Sequence, residues 1–238
     1  MKPTFKLDSF KDVVLDILND SITQLIIVVD HSDENYIDFK ELLKRFSLEI
    51  MTKISFGKDI GSLINRDVAF VGDFDYCTKY IGDLFLSPNS KVNRYLSLPG
   101  WKYCHRLSKI DKYVSDIIVT KKKIIDNEKS QDVDLDLISL FLKKDSTTEK
   151  KKTLLHHSFV KANDDNLRDI LVNIVLSGRE VTANALCWSF YRLCSNQCIQ
   201  GIIRAEVRCA LEAVDGKTRS YKDPITHESL SKMRYLEA

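Results

Sequence analysis

Glycine and proline are scarce in this chain, at 8 and 4 of 238 residues. So few turn formers argue against a sheet-rich fold, whose strands are joined by turns that need them. Excess charge is also missing. A net charge of +2 at pH 7 is too small to imply the strongly basic surface that nucleic acid or an anionic membrane selects. No uninterrupted apolar run reaches the roughly 18 residues that would cross a bilayer, and no signal peptide opens the chain. There is no glycine-rich phosphate loop, no Gly-x-Ser-x-Gly elbow and no His-Glu-x-x-His, so the commonest phosphate-binding, serine-hydrolase and metalloprotease signatures are absent.

The cysteines lack a framework. Cys77, Cys104, Cys187, Cys194, Cys198 and Cys209 are scattered, several inside helical patterns, as expected of reduced thiols in a reducing compartment. Cys194 and Cys198 stand four apart and could be combined with His156 and His157. Zinc sites use tighter spacing, so no metal site is expected.

What is present is helix after helix. Hydrophobic residues make up 44% and charged residues 29%, the balance of a soluble globular protein. Phe10, Val13, Val14, Ile17, Leu18, Ile22, Leu25, Ile26 and Val29 keep a three-four spacing that predicts an amphipathic helix. Phe39 to Ile54 repeats the pattern and stops at Gly57, a C-terminal glycine. A weaker amphipathic helix is read from Val68 to Phe85. Leu98-Pro99-Gly100 reads as a turn, followed by a long basic helix from Lys102 to Asn127. A short helix from Val133 to Leu142 leads into a polar loop, Lys143 to Lys152. Asn163-Asp164-Asp165 caps the next helix, which runs to about Ser195. Ile199 to Val214 and a last short piece complete the series, so the fold class is all-α, with no credible strand ladder and no internal repeat.

The helix from Asp164 to Ser195 carries the unusual chemistry. Ser177-Gly178-Arg179-Glu180-Val181-Thr182 interrupts its apolar run, and charge inside such a helix is costly unless it is partnered. Arg179 has Val175 and Ala183 four residues away, and Glu180 has Leu176 and Asn184. Neither finds an opposite charge at those neighbouring positions. As adjacent residues they point about 100° apart, so each is expected to take a partner from elsewhere or a watery cavity. Ser177 and Gly178 leave a shallow notch. It suits either a close helix crossing beside a buried ion pair, or the approach of a flat ligand. Trp101 and Trp188 read as packing residues. Lys121-Lys122-Lys123 and Lys150-Lys151-Lys152 read as solvated charge runs.

Small-Gly-x-acid-x-Thr in a long central helix resembles the oxygen-activation segment of the cytochrome P-450 monooxygenases. Asp38 to Ile50, with Ile54-Ser55-Phe56-Gly57 and Ile60-Gly61-Ser62-Leu63, is similar to that family's fifth lettered helix and the loop after it. Asp134 to Leu142 resembles the short helix before the oxygen helix. Leu167 to Tyr191 resembles the fatty-acid ω-hydroxylase branch, and Ser231 to Ala238 the lead-in to the Glu-x-x-Arg helix. The ordered series covers almost the whole chain.

The resemblance implies a haem-thiolate monooxygenase that inserts one oxygen atom of O2 into a C–H bond of a lipophilic substrate such as a fatty acid. It implies electrons from an NADPH-dependent flavoprotein reductase and, for localisation, the cytoplasmic face of the endoplasmic reticulum membrane; no nucleic-acid partner is implied. Glu180 would supply protons and Thr182 would stand as a displaced hydroxyl. Ser177, Gly178 and Val181 would face the haem. The family usually has Thr directly after the acid, where this chain has Val181; a Val181 that is plain core, in a chain free of catalytic demand, is the other reading. The stripe of Phe70, Phe74, Ile81, Phe85 and Tyr95 suits an aliphatic chain or a packed core equally. The Phe-x-x-Gly-x-x-x-Cys-x-Gly loop, the early Trp-x-x-x-Arg segment and an N-terminal anchor are not found in the sequence. Residues 1–238 are therefore expected to be a single partial domain, a middle piece without the haem-ligating cysteine. Alone it would be cytoplasmic and inactive; a non-catalytic helical remnant or interaction module is the alternative.

Overall fold

The computed structural model describes residues 4–31, 36–86, 97–127, 136–145, 164–215 and 224–237. Among them every regular element is a helix: α1 (Thr4–Asp30), α2 (Phe39–Phe56), α3 (Ala69–Phe85), α4 (Leu98–Asn127), α5 (Leu137–Asp145), α6 (Asp164–Cys194), α7 (Gln197–Asp215), α8 (His227–Ser231) and α9 (Arg234–Glu237). The all-α expectation holds.

Several boundaries have identifiable local causes. α2 ends one residue before Gly57, whose φ of 62° is the left-handed conformation that closes helices. The Gly57 N–H donates to Lys53 O at 2.9 Å. α1 begins six residues earlier than the apolar spacing indicated, at Thr4, because the first polar turns add backbone bonds without adding apolar positions. Leu98-Pro99-Gly100 is not a turn but the first turn of α4. Proline is tolerated there, where its missing N–H would have no helical partner, and Ser97 Oγ accepts from the Gly100 N–H at 3.1 Å. α5 starts after Asp136, whose Oδ1 accepts from the Ser139 N–H at 2.7 Å, and it continues through Asp145, so Lys143 to Asp145 are helical. The rest of the expected loop to Lys152, and residues 133–135 at the expected helix start, lie outside the described residues, as do His156, His157 and Tyr95.

The chain divides into two compact units: residues 1–50 with 178–238, and residues 51–177. In the first, α1 is tied to the segment before α8 by the Asn19 amide. It donates to Ile225 O and accepts from the Ile225 N–H, both at 2.9 Å. A capping box starts α8, with Thr226 Oγ1 accepting from the Ser229 N–H and Ser229 Oγ from the Thr226 N–H. Glu206 of α7 accepts from the N–H groups of Tyr235 and Leu236 at 2.6 and 3.0 Å. Phe39 of α2 meets Phe190 of α6 edge to face, with ring centres 5.0 Å apart.

In the second unit α3 and α4 form the most extensive helix pair. Phe70, Phe74 and Cys77 are buried on α3, and Tyr103, Ile110 and Val114 on α4. Aromatic rings meet between the helices, Phe70 tilted against Tyr113 at 4.8 Å and Tyr80 stacked on Tyr103 at 4.9 Å. Of the stripe named above, Phe70 and Phe74 are core while Ile81 is exposed. Arg106 closes the pair, donating to Gly72 O and Asp73 Oδ1, both at 3.0 Å. Another ion pair, Lys121 to Asp136 at 2.5 Å, is almost dry and lies directly against Gly57: a β-carbon there would overlap Asp136 Oδ2. Arg168 gathers Asp165, Asp169 and Asp111. Burial pushes the Asp111 carboxyl above its usual range, and the Arg168 charge opposes that shift.

Candidate functional site

The geometry of α6 follows from its four-residue rows. Leu167, Leu171, Val175, Arg179 and Ala183 form one row, and all are 2% exposed or less. Hydrophobic burial of such residues stabilises the fold by about 2 kcal/mol each, yet a guanidinium occupies the fourth place. Two residues on, and about 200° round the helix, runs a second row, Ser177, Val181, Ala185 and Trp188. All four are exposed, Val181 at 68%.

The buried Arg179 is partnered in part on its own helix. Its Nη1 donates to Glu180 Oε1 at 3.2 Å, although adjacent helical residues diverge at their roots. The expectation that each charge must look elsewhere is corrected: a guanidinium on three methylenes reaches back across one residue. Glu180 does also take a partner from a distant segment. Lys44 Nζ of α2 lies 3.3 Å from Glu180 Oε2. The two carboxylate oxygens thus face two different cations, with the Glu180 side chain 25% exposed. Sequence reasoning missed Lys44. Its only signal was membership of the Asp38 to Ile50 stretch, and helical periodicity carries no information on pairs so far apart in sequence.

The remaining expected site residues lie on the same helix. Ser177 Oγ turns back onto its own helix, donating to Asn173 O and Ile174 O at 2.8 and 3.2 Å. Gly178 is half-buried, and Thr182 is exposed. Val181 is not core, because its exposure leaves it on the open row. Trp101 and Trp188 are not packing residues either, at 74% and 67% exposed. α6 is also long and apolar enough to cross a membrane by length and composition alone, a test that the core helix of a soluble protein passes equally.

The thiols differ sharply. Cys77 is buried, and its thiol is pushed up to about 11, first by burial and then by the nearby Asp73 charge. Cys104, Cys194, Cys198 and Cys209 are exposed and Cys187 is half-buried. All six stand within helices. Among the described residues no group of three or more His, Cys, Asp or Glu side chains converges as a metal site would require.

Known proteins resemble this chain along most of its length. Cytochrome P-450 86B1 of Arabidopsis thaliana is 29% identical over 211 residues, covering 85% of this chain and 36% of its own length. Cytochrome P-450 94B1 of the same plant is 27% identical, over 86% of this chain and 39% of its own length. Cytochrome P-450 52-N1 of Starmerella bombicola is 24% identical, over 100% of this chain and 44% of its own length. The chain therefore spans less than half of each of these relatives. The crystal structure of a cytochrome P-450 (CYP102L1) superposes with a TM-score of 0.71 at 16% identity, over 96% of this chain and 48% of that one, which shows the fold. The family model described as Cytochrome P-450 matches residues 1–238, and with that match the chain belongs to the cytochrome P-450 family.

Proposed function

We propose that this chain is the oxygen-helix portion of a haem-dependent monooxygenase that hydroxylates a lipophilic substrate such as a fatty acid. The observation that supports the reading is the pair of opposed rows on α6. One is packed and carries Arg179; the other is open and carries Ser177, Val181, Ala185 and Trp188. Gly178 and Glu180 lie between them. An open apolar row beside a glycine suits a flat apolar group. Haem, when bound, supplies the reduction of O2 and the insertion of one oxygen atom into a C–H bond, which no side chain here can perform.

The thiols do not fit the role of axial ligand. A thiolate ligand needs a lowered pKa, and Cys77 has the reverse. The other five stand within helices, none in a glycine-rich loop. No step is therefore derived through the haem from this chain. The reading takes residues 1–238 as part of one domain and draws the thiolate from family length that this chain does not span. Within that domain Glu180 would help deliver protons, its carboxylate positioned by Lys44 and Arg179. Val181 offers no hydroxyl beside Glu180, and Thr182 stands as a displaced hydroxyl. Electrons would come from an NADPH-dependent flavoprotein reductase, at the cytoplasmic face of the endoplasmic reticulum membrane. The same thiol environments favour a second reading, a helical module without catalysis.

A reduced carbon-monoxide difference spectrum after haemin reconstitution separates the two. Residues 1–238 alone should give no thiolate-type Soret band, while the product of an extended coding region that includes the cysteine loop should give one. That product should also shift from low to high spin with a fatty acid. A thiolate band from residues 1–238 would overturn the ligand assignment. Extended material without any such band would leave the non-catalytic module. A spin shift with other lipophiles but none with fatty acids would remove the substrate assignment.

A further inference from the structure

A second site lies wholly within the unit formed by residues 51–177. The loop after α2, the start of α3 and the middle of α4 line an open cavity of about 470 Å³, within the range of small-molecule sites. Its floor is apolar and preformed. Phe70 and Ile110 are buried, Ile60 and Val68 are half-buried, and the Tyr113 ring lies against Phe70 at 4.8 Å.

The charges around it are unbalanced in one direction. Two carboxylates line the cavity, and each is neutralised by a cation that does not line it. Asp59 Oδ2 pairs with Lys53 at 2.9 Å while its Oδ1 accepts from the Gly61 N–H at 2.8 Å. Asp73 pairs with Arg106 at 3.0 Å. The two ammonium groups at the cavity have no such partner. Lys58 sits 5.1 Å from the centre of the Tyr113 ring, and no carboxylate among the described residues pairs with Lys58 or Lys109. Val68 gives α3 no side-chain cap, so the first N–H groups of that helix add partial positive charge at the same wall.

We propose that this cavity binds a small amphipathic anion, a carboxylate or phosphate head between Lys58 and Lys109 with an aromatic or branched apolar body on the Phe70–Tyr113 floor. The apolar floor rejects a bare inorganic ion, because it offers such an ion no hydrogen bonds. The unpaired ammonium groups discriminate against a neutral ligand of the same shape.

The test is calorimetric titration of residues 1–238 with 1-naphthaleneacetate and with 1-naphthyl phosphate, against 2-(1-naphthyl)ethanol as neutral analogue and acetate as head alone. At least one naphthyl anion should bind saturably at one site, and whichever binds tighter identifies the head. The double variant Lys58→Gln/Lys109→Gln should weaken that binding by about tenfold or more and leave the alcohol unaffected. Both lysines are exposed, so the variant should keep its helical circular dichroism. Ala69→Trp, at the cavity mouth, should remove binding of anion and alcohol alike. Absence of naphthyl-anion binding at millimolar concentration, alcohol binding as tight as that of the anion, or unchanged anion affinity in the double variant would each overturn the proposal.

Discussion

The two halves of α6 are built from similar residues and end in opposite environments. Leu167, Leu171 and Val175 in the first half are 2% exposed or less, whereas Val181, Trp188 and Tyr191 in the second are more than 60% exposed. Composition does not separate them, since the second half holds the larger side chains. The difference teaches that an apolar helical stripe marks a surface that needs covering and says nothing of what covers it. Arg179 sharpens the point. It is the one charged side chain in the packed row and is more deeply buried than any aromatic side chain of the second half.

The largest effect that would test this contrast is in the packed half. Leu171→Ala removes a fully buried side chain and should cost about 3 kcal/mol, read as a lower urea midpoint by circular dichroism. Trp188→Ala in the open half should change it by less than about 0.5 kcal/mol. Equal losses would break the comparison by showing that both halves are packed.

A thiol contrast comes next. At pH 8 Cys77 should react with iodoacetamide about 100-fold or more slowly than Cys194 or Cys198, since the thiolate is the nucleophile and burial holds the Cys77 thiol at about 11. The sign follows from the raised value. Burying the neutral thiol stabilises the fold fully below the ordinary thiol range, and that contribution is lost as pH rises towards about 11. Labelling monitored by mass spectrometry as a function of pH reads this directly, and equal rates at Cys77 and Cys194 would contradict it.

Gly57→Ala should cost about 2 kcal/mol. It places a β-carbon at positive φ and against Asp136, displacing the carboxylate from Lys121. A urea midpoint within error of the parent would show that α2 can end otherwise. Glu180→Ala should cost less, about 1–2 kcal/mol, by removing the carboxylate shared between the buried Arg179 and Lys44. Lys44→Ala in the same assay should cost under about 1 kcal/mol, as its pair is partly solvated.

Val181→Thr should move stability by no more than about 0.5 kcal/mol, because position 181 is open. In the proposed enzyme the added hydroxyl next to Glu180 should raise product formed per NADPH consumed. Unchanged coupling there would mean that another group already fills the role.

Helix positions were legible because helix formation is governed by neighbours three and four residues away. The end of α2 could be read from Gly57 alone, since an αL closure selects glycine. Leu98-Pro99-Gly100 misled because the same residues serve a turn or a helix start, and the Ser97 cap decides between them. The family, too, was legible in the ordered series of segments, and the α6 motif marked where unusual chemistry would sit.

Other features required the tertiary structure. Packing selected which row of α6 is buried, put Arg179 in it and left Val181 open. It brought Lys44 to Glu180, and it set Lys58 and Lys109 beside a cavity whose carboxylates are neutralised elsewhere. These are relations between segments far apart in sequence. The sequence by itself determined the local elements, because the forces that make a helix act within one or two turns. Burial and ion pairing depend on which surfaces meet, and only the folded chain decided that.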